Sequence, residues 1–385
     1  MQYRKFGRHD IQVSALGFGM MRLPVLDNDP AKIDEAKVAE MVRYAVEHGV
    51  NYVDTAFNYH RGQSEIVVGK VLKDGLRDKV YLATKCPVWQ VTSRADFDTF
   101  LNTQLEKLQT DHIDMYLLHG LNKSRWPGLV EAQVFDFLDK AKSDGRIRFA
   151  GYSFHDDLAT FKTIADSYGW DFCQIQYNFM DERFQAGTEG LRYAHGKGMA
   201  VVIMEPLRGG RLVKNVPPEV QAVWDSASVR RTPAEWGLRW IWNHHEVSVV
   251  LSGMGAMEQV IENIRTAETA LPGSLAAAEL ELFDKVREAY RKRVKIPCTK
   301  CEYCQPCPQG VKIPDLFEQY NTAWMYGALD ELARFYARMR TEPGNVGNCA
   351  DCGTCEEKCP QALPIRDLLR EIDRDLTSRA PKPQT

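Results

Sequence analysis

Residues 80–119 read VYLATKCPVWQVTSRADFDTFLNTQLEKLQTDHIDMYLLH, and this stretch decides the fold. Val80–Thr84 and Ile113–Leu118 are short runs rich in β-branched and aromatic residues, the composition of strands. Ser93–Leu108, between them, carries a helical pattern. Strand, helix, strand is the unit of parallel sheets, because parallel neighbours need a long crossover. Outward from it the unit repeats. Tyr52–Thr55 precedes it as a strand, and Phe149–Tyr152, Phe172–Gln176, Ala200–Met204 and Val247–Leu251 follow. Val38, Met41, Val42, Ala45 and Val46 are spaced three and four apart and share one helical face. Further helical patterns cover Ser64–Leu72, Val130–Asp144, Asp157–Tyr168, Thr188–Lys197, Pro233–Asn243 and Met257–Ala270. Pro233 suits a first helical turn, with Thr232 as its cap.

The opening, Met1–Pro24, reads as a hairpin followed by a strand through Ala15-Leu16-Gly17-Phe18-Gly19. Counting that strand, eight strand–helix units span roughly 260 residues, which predicts an α/β chain with a (β/α)₈ TIM barrel. An open doubly wound sheet is the alternative, since alternation alone does not show closure. A further amphipathic helix covers Ala276–Arg293, and Pro297 marks a boundary. The expected organisation is a barrel over 1–293, a small α-helical module over 294–378 and a frayed tail over 379–385. The chain of 385 residues is 44% hydrophobic, enough for a large core, and its net charge of −3 points to neither nucleic acid nor membrane. No apolar run reaches spanning length, and Met1–Asp10 lacks a signal-peptide core, so the expected location is cytoplasmic.

Eight of the ten cysteines fall in two runs after residue 297; Cys86 and Cys173 lie elsewhere. A disulfide framework spreads its cysteines through a small secreted domain, whereas gaps of two and three are ligand spacings in a reducing compartment. The second run is Cys349-x₂-Cys352-x₂-Cys355-x₃-Cys359-Pro360, the spacing of a bacterial-ferredoxin cluster motif with its closing proline. The first, Cys298-x₂-Cys301-x₂-Cys304-x₂-Cys307-Pro308, is one residue short in its last gap. Structural zinc is the competitor, since CxxC pairs also bind zinc, though seldom as four cysteines in so tight a run before proline. Leu316–Arg340 and Leu363–Leu376 read as helices around these runs. So small a module is expected to have little core and to be held together by its clusters.

In a TIM barrel the chemistry lies at the C-terminal strand ends. Asp54 ends the second predicted strand, Lys85 the third and His119 the fourth, with Tyr59 five residues past Asp54. Each has a plain alternative: a turn cap, a solvated lysine, a loop histidine, a tyrosine packed on the rim. Their equivalent places on neighbouring strands argue for one mouth. The segments Gly49-Val50-Asn51-Tyr52-Val53-Asp54-Thr55-Ala56 through Tyr59, Ala83-Thr84-Lys85, and Asp114-Met115-Tyr116-Leu117-Leu118-His119 resemble the aldo-keto reductase tetrad. That resemblance implies carbonyl reduction with Tyr59 as general acid. A neighbouring Lys85 ammonium is expected to lower its pKa, Asp54 to position Lys85, and His119 to orient the carbonyl oxygen.

The resemblance further implies NAD(P)H across the mouth. Ser153 and Gln174 match positions that hold the nicotinamide amide. Leu207, Arg208 and Gly209 match the loop beside the pyrophosphate, and Gly253, Gln259 and Asn263 the segment around adenosine; ordinary turn chemistry is the alternative for the glycines. Two positions depart from the family pattern: Met204 stands where many members stack an aromatic ring, and Gly255 where NADP-preferring members place an arginine. In two-cluster ferredoxins the fourth cysteine of each run serves the other cluster. On that analogy Cys298, Cys301, Cys304 and Cys359 hold one [4Fe–4S] cluster, and Cys349, Cys352, Cys355 and Cys307 the other. The whole resembles the ferredoxin-domain-containing aldo-keto reductases of bacteria and archaea.

A nicotinamide moves two electrons at once and each cluster one, so a flavin usually stands between such carriers. Three readings follow: a carbonyl reductase whose clusters have a separate role; a barrel wired to a ferredoxin-like partner through a flavin or other two-electron cofactor; and a barrel turned electron-transfer or docking module. The intact tetrad argues against the third, and Met204 and Gly255 keep the second open. The expected activity is that of an oxidoreductase on a small carbonyl or alcohol. Candidate specificity loops are His60–Gln63, Pro87–Thr92 with Trp89, and Gly120–Gly128 with Asn122 and Trp126.

Overall fold

A computed structural model describes residues 1–340 and 342–380. The chain forms two compact units, Met1–Gly209 with Arg231–Ala276, and Gly210–Arg230 with the chain from Ala277 onward. In the first unit, strands β1 (Tyr3–Lys5) and β2 (Gln12–Ser14) pair antiparallel as a hairpin. Eight parallel strands follow: β3 (Leu16–Gly19), β4 (Tyr52–Asp54), β5 (Tyr81–Cys86), β6 (Ile113–Leu121), β7 (Ile147–Phe154), β8 (Phe172–Gln176), β9 (Ala200–Met204) and β10 (Val249–Ser252). β10 pairs with β9 and also with β3, through Val250↔Leu16, so the sheet closes and the open doubly wound alternative is excluded.

Helices alternate with these strands: α1 (Glu35–Glu47), α2 (Ser64–Val71), α3 (Arg94–Leu108), α4 (Trp126–Glu131), α5 (Val134–Ser143), α6 (Leu158–Asp166), α7 (Gly187–Gly196), then α8 (Pro218–Asp225) in the second unit, α9 (Pro233–Trp242) and α10 (Met257–Thr269). The single helix expected over Val130–Asp144 is two, because Gln133 takes a left-handed φ of 58° between α4 and α5. The hairpin plugs one end of the barrel. Phe6 packs 5.7 Å from Phe149 and 5.4 Å from Phe172, in a dry cluster with Val13, Tyr52, Met115 and Val202. Apolar strand interiors are buried on both faces, which is why they read as continuous hydrophobic runs rather than alternating ones.

In the second unit α8 packs on α11 (Ala277–Arg291), with the Trp224 and Phe283 rings 5.3 Å apart. The sequence reading groups α11 with the barrel and does not anticipate α8, whose apolar signal is short. The helix expected over Leu316–Arg340 is two, α12 (Ile313–Met325) and α13 (Leu329–Met339), broken at Gly327 with φ 63°. A short α14 (Thr354–Glu357) and then α15 (Ile365–Arg379) complete the unit; of the tail expected over 379–385, residues 381–385 lie outside the described residues. Contrary to expectation the module has a core of its own, built from Phe317, Tyr320, Ala333, Ile365, Leu369, Ile372 and neighbours. The apolar faces of α12, α13 and α15 supply it. Arg340 grips Asp373 through two bonds of 2.6 and 2.7 Å, and Tyr336 donates to the same carboxylate at 2.6 Å.

Barrel closure leaves no room at Gly151 on β7, where a Cβ would meet the Phe172 carbonyl oxygen at 2.7 Å and its ring at 2.6 Å. Gly151→Ala is expected to destabilise the barrel by roughly 1–3 kcal/mol, as overpacking does. The lowered unfolding midpoint would be followed by circular dichroism; an unchanged midpoint would mean β8 yields freely.

Candidate active site

Parallel pairing carries β4, β5 and β6 out of the barrel at the same end, so their last inward-facing side chains meet. Lys85 on β5 is 1% exposed and Asp54 at the end of β4 is 2% exposed. The Lys85 ammonium donates to Asp54 Oδ1 at 2.6 Å, to the Thr55 carbonyl at 2.7 Å and to the Tyr59 oxygen at 3.2 Å. An ammonium has three hydrogens, and these three acceptors use them all. Because Tyr59 accepts from Lys85, its own O–H is left to donate elsewhere. The His119 ring lies edge-on to Tyr59, with centroids 6.1 Å apart, and Trp89 lies edge-on to His119 at 5.2 Å. All four residues singled out from the sequence therefore converge on one mouth.

The turn that presents Tyr59 is fixed by its neighbour. His60 and Arg61 take φ values of 51° and 55°, left-handed conformations disfavoured for residues other than glycine. His60 Nε2 accepts from the Leu23 amide at 3.1 Å and its Nδ1 donates to the Pro30 carbonyl at 2.9 Å, pinning the turn to the loop after β3. His60 thus braces the site, and its place in a candidate specificity loop is accounted for structurally. Asn122 likewise closes a turn, accepting from the Arg125 amide, while Trp126 packs on Phe135 and Trp170.

Behind Lys85 is a buried polar network that the sequence reading does not anticipate. Gln104 Nε2 donates to Glu65 Oε1 at 2.6 Å and to the Lys85 carbonyl at 3.0 Å. Thr84 donates to Glu65 at 2.7 Å, and the Tyr116 hydroxyl donates to Gln104 Oε1 at 2.9 Å. Glu65 and Gln104 are both fully buried. The signal was present: Gln104 falls on the Phe97, Leu101 and Leu108 face of α3, a polar residue at a core position.

Burial sets the electrostatics. It pushes the Tyr59 hydroxyl up more than Lys85 pulls it down, with Asp54 and Glu205 also raising it, so the expected net lowering by Lys85 is not found. Burial opposes the charge on Lys85 as well, but Asp54 and Tyr59 outweigh it and hold the ammonium charged. His119 is pushed down to about 3 by burial and then by the nearby charges of Lys85, His155 and Arg125, which makes it a neutral imidazole.

Of the residues expected around a dinucleotide, Ser153 on β7 and Gln174 on β8 are register partners. Ser153 Oγ accepts from the Gly120 amide at 2.8 Å, and Gln174 Oε1 is buried with no hydrogen-bond partner among the described residues. That orphaned amide oxygen fits a carboxamide donor. Met204 ends β9. Leu207 packs over Gly237, and Arg208 Nε donates to Asp181 at 2.9 Å, where Gln176 and Asn178 also donate. Gly209 turns with φ 64°. After β10, at Gly253, Gln259 accepts from the Gly255 amide at 2.9 Å and Asn263 donates to Ser252 at 3.0 Å, so both brace the loop.

In the second unit Cys298, Cys301, Cys304 and Cys359 line one small cleft of about 20 Å³, walled by Ile313, Phe317 and Ile365. Burial and then the neighbouring Cys298, Cys301 and Cys359 push the Cys304 thiol up, as expected of four sulfurs crowded together. Among the described residues no three His, Cys, Asp or Glu side chains close around a single metal ion. Cys355 is raised by burial and by its neighbours Glu356 and Cys349. Cys307 accepts through its carbonyl from the Gly310 amide.

Comparison with known proteins places this architecture. Residues 15–279 match the model of the aldo/keto reductase family, and residues 297–363 that of a 4Fe-4S dicluster domain. The NADH-specific methylglyoxal reductase of Escherichia coli (strain K12) is 26% identical over 331 residues, 74% of this chain and 98% of that protein. L-Galactose dehydrogenase of Arabidopsis thaliana is 27% identical over 284 residues, 69% of this chain and 87% of that one. Among solved structures, an aldo-keto reductase from Bacillus halodurans in its holo form superposes with a TM-score of 0.63 at 28% identity, covering 74% of this chain and 96% of its own. Fold and relatives define an oxidoreductase built on a (β/α)₈ barrel. More particularly, the chain belongs to the aldo/keto reductase family and carries a C-terminal 4Fe-4S domain. Among the described residues no helix is long and apolar enough to cross a membrane.

Gln104→Leu would leave Glu65 buried without its shortest donor and is expected to cost roughly 3 kcal/mol. Adding Glu65→Gln should restore part of the loss in denaturant titrations. No recovery would show that the penalty belongs to packing, not to a carboxylate left with only Thr84 and Lys107.

Proposed function

We propose that this chain reduces a small-molecule carbonyl to an alcohol, or the reverse, with NAD(P)H as hydride carrier and Tyr59 as general acid. The observation that carries this is the buried Lys85 ammonium, which donates to Asp54 and to Tyr59 and leaves the tyrosine proton directed away from itself. A nicotinamide, when bound, supplies the hydride. Ser153 and Gln174 would hold its amide, Gln174 through the acceptor oxygen that now has no partner. Tyr59 gives its proton to the carbonyl oxygen, and the phenolate left behind has Lys85 at 3.2 Å. Neutral His119 offers an N–H to the same oxygen without a competing charge. The high Tyr59 pKa keeps that proton in place throughout the neutral range.

Two [4Fe–4S] clusters complete the reading: Cys298, Cys301, Cys304 and Cys359 on one, Cys349, Cys352, Cys355 and Cys307 on the other, each passing one electron. The first set is supported by the shared cleft, the second by motif spacing. Met204 at the end of β9, where many relatives place an aromatic ring, favours a second reading in which a flavin links the barrel to the clusters and to a ferredoxin-like partner.

Tyr59→Phe is expected to keep the fold and clusters while carbonyl reduction falls by about 10²–10⁴. With His119 at about 3 and Tyr59 raised, reduction by the wild-type enzyme should be flat between about pH 6 and 9, with no limb at the ordinary histidine pKa. Undiminished turnover in Tyr59→Phe removes the tyrosine from the mechanism.

Anaerobically purified protein should contain about eight iron and eight sulfide per chain, falling by about four of each in Cys359→Ser. Zinc without sulfide overturns the cluster reading. Flavin released by acid from the same sample would favour the second reading over the first.

A further inference from the structure

One arginine fills the space that three glycines leave open beside the mouth. Arg22 ends the turn Met20–Arg22 that follows β3. A Cβ on Gly253 would lie 3.1, 3.2 and 3.3 Å from the Cβ, Cγ and Cδ of Arg22, and one on Gly255 would lie 3.2 Å from its carbonyl oxygen. A Cβ on Gly209 would lie 2.6 Å from Arg22 Nη2. The stem therefore rests on the loop after β10 and the guanidinium on the loop after β9, a path that side chains at Gly209 and Gly253 would obstruct.

The anion that Arg22 meets there is a poor match. Glu205 is its one carboxylate partner among the described residues, at 3.4 Å, with Arg22 48% and Glu205 31% exposed. An ion pair that long and that exposed contributes little. Glu205 is also held at φ 53°, a left-handed conformation that a residue other than glycine adopts only under constraint from its surroundings. A guanidinium presents a planar fork of five donors that matches phosphate oxygens in pairs, and a single carboxylate at 3.4 Å does not use it. A cation clad in glycine backbone and loosely paired is built to exchange partners.

We propose that Arg22 binds the pyrophosphate of the dinucleotide and that Glu205 is its resting partner, displaced when the phosphates arrive. The assignment rests on the nicotinamide reading given above. It deepens that reading by making cofactor entry an ion-pair exchange, in which Glu205 competes with the ligand. The pyrophosphate is the anionic group that NADH and NADPH share, so the effect is common to both.

Calorimetric dissociation constants for NADH and NADPH, measured on the full-length, cluster-loaded protein, test this without turnover. Arg22→Ala should weaken both dinucleotides about tenfold or more, with Arg22→Lys recovering only part. Glu205→Gln should tighten both by about two- to fivefold, and should do nothing in the Arg22→Ala background. A structural brace would behave oppositely, with Glu205→Gln weakening binding. That outcome, or Arg22→Ala binding within about twofold of wild type, overturns the proposal and leaves the nicotinamide reading intact. Loss confined to NADPH overturns it in favour of a 2′-phosphate contact. Wild-type protein that binds neither dinucleotide overturns the nicotinamide reading and this one together.

Discussion

A deeply buried ammonium must be satisfied almost wholly by the protein, and the barrel mouth is arranged around that requirement at Lys85, which is 1% exposed. A buried, unpaired charge costs several kcal/mol, so every hydrogen on the nitrogen has a fixed acceptor. Two acceptors, Asp54 and the Thr55 carbonyl, come from the end of β4, and the third, Tyr59, from the turn just beyond it. The side chain therefore ties β5 to β4 at the place where strand pairing ends. The Glu65–Gln104 network then holds the Lys85 backbone from the opposite side, through α2 and α3. Lys85 thus fixes where the tyrosine oxygen accepts, while burial and the His60-braced turn set its charge state and its place.

The barrel also shows how a satisfied charge differs from one kept available. Asp171, just ahead of β8 at the other end of the strands, accepts from Lys142 at 2.7 Å, His9 at 2.9 Å, Arg8 at 3.3 Å and the Ala150 amide at 2.9 Å. It is an ion network of the stabilising kind expected at the N-terminal face. At the C-terminal face, Asp54 Oδ2, His119 Nδ1 and Gln174 Oε1 are all buried without a partner among the described residues. Native interiors seldom leave such atoms unpaired, and these three contrast with the fully partnered Asp171.

Much of this was legible in the residues. Strands buried on two faces announce themselves as apolar runs, and Asp54, Lys85 and His119 stand out because each interrupts such a run near its end. The paired CxxC runs were equally readable, since ligand spacing is local. Closure was not, because it depends on Val250 meeting Leu16 across most of the barrel's sequence. Helix breaks at Gln133 and Gly327 escaped a pattern reading, for the flanking apolar periodicity continues through them. The balance of charges on Tyr59 is not legible for a related reason: a motif shows that Lys85 is near, but not that burial outweighs it. Arg22 and Glu205 lie far apart in sequence and belong to different loops, so only the folded chain joins them.

Helix α8 has a consequence for how such a chain can be taken apart. The second unit draws on Gly210–Arg230 as well as on the chain from Ala277, so its sequence is threaded through that of the barrel rather than appended to it. Trp224 and Val220, both buried on the inner face of α8, belong to a helix that packs against α11. Cutting the chain at Ala277 would therefore strip from Trp224 the Phe283 ring that packs 5.3 Å away on α11.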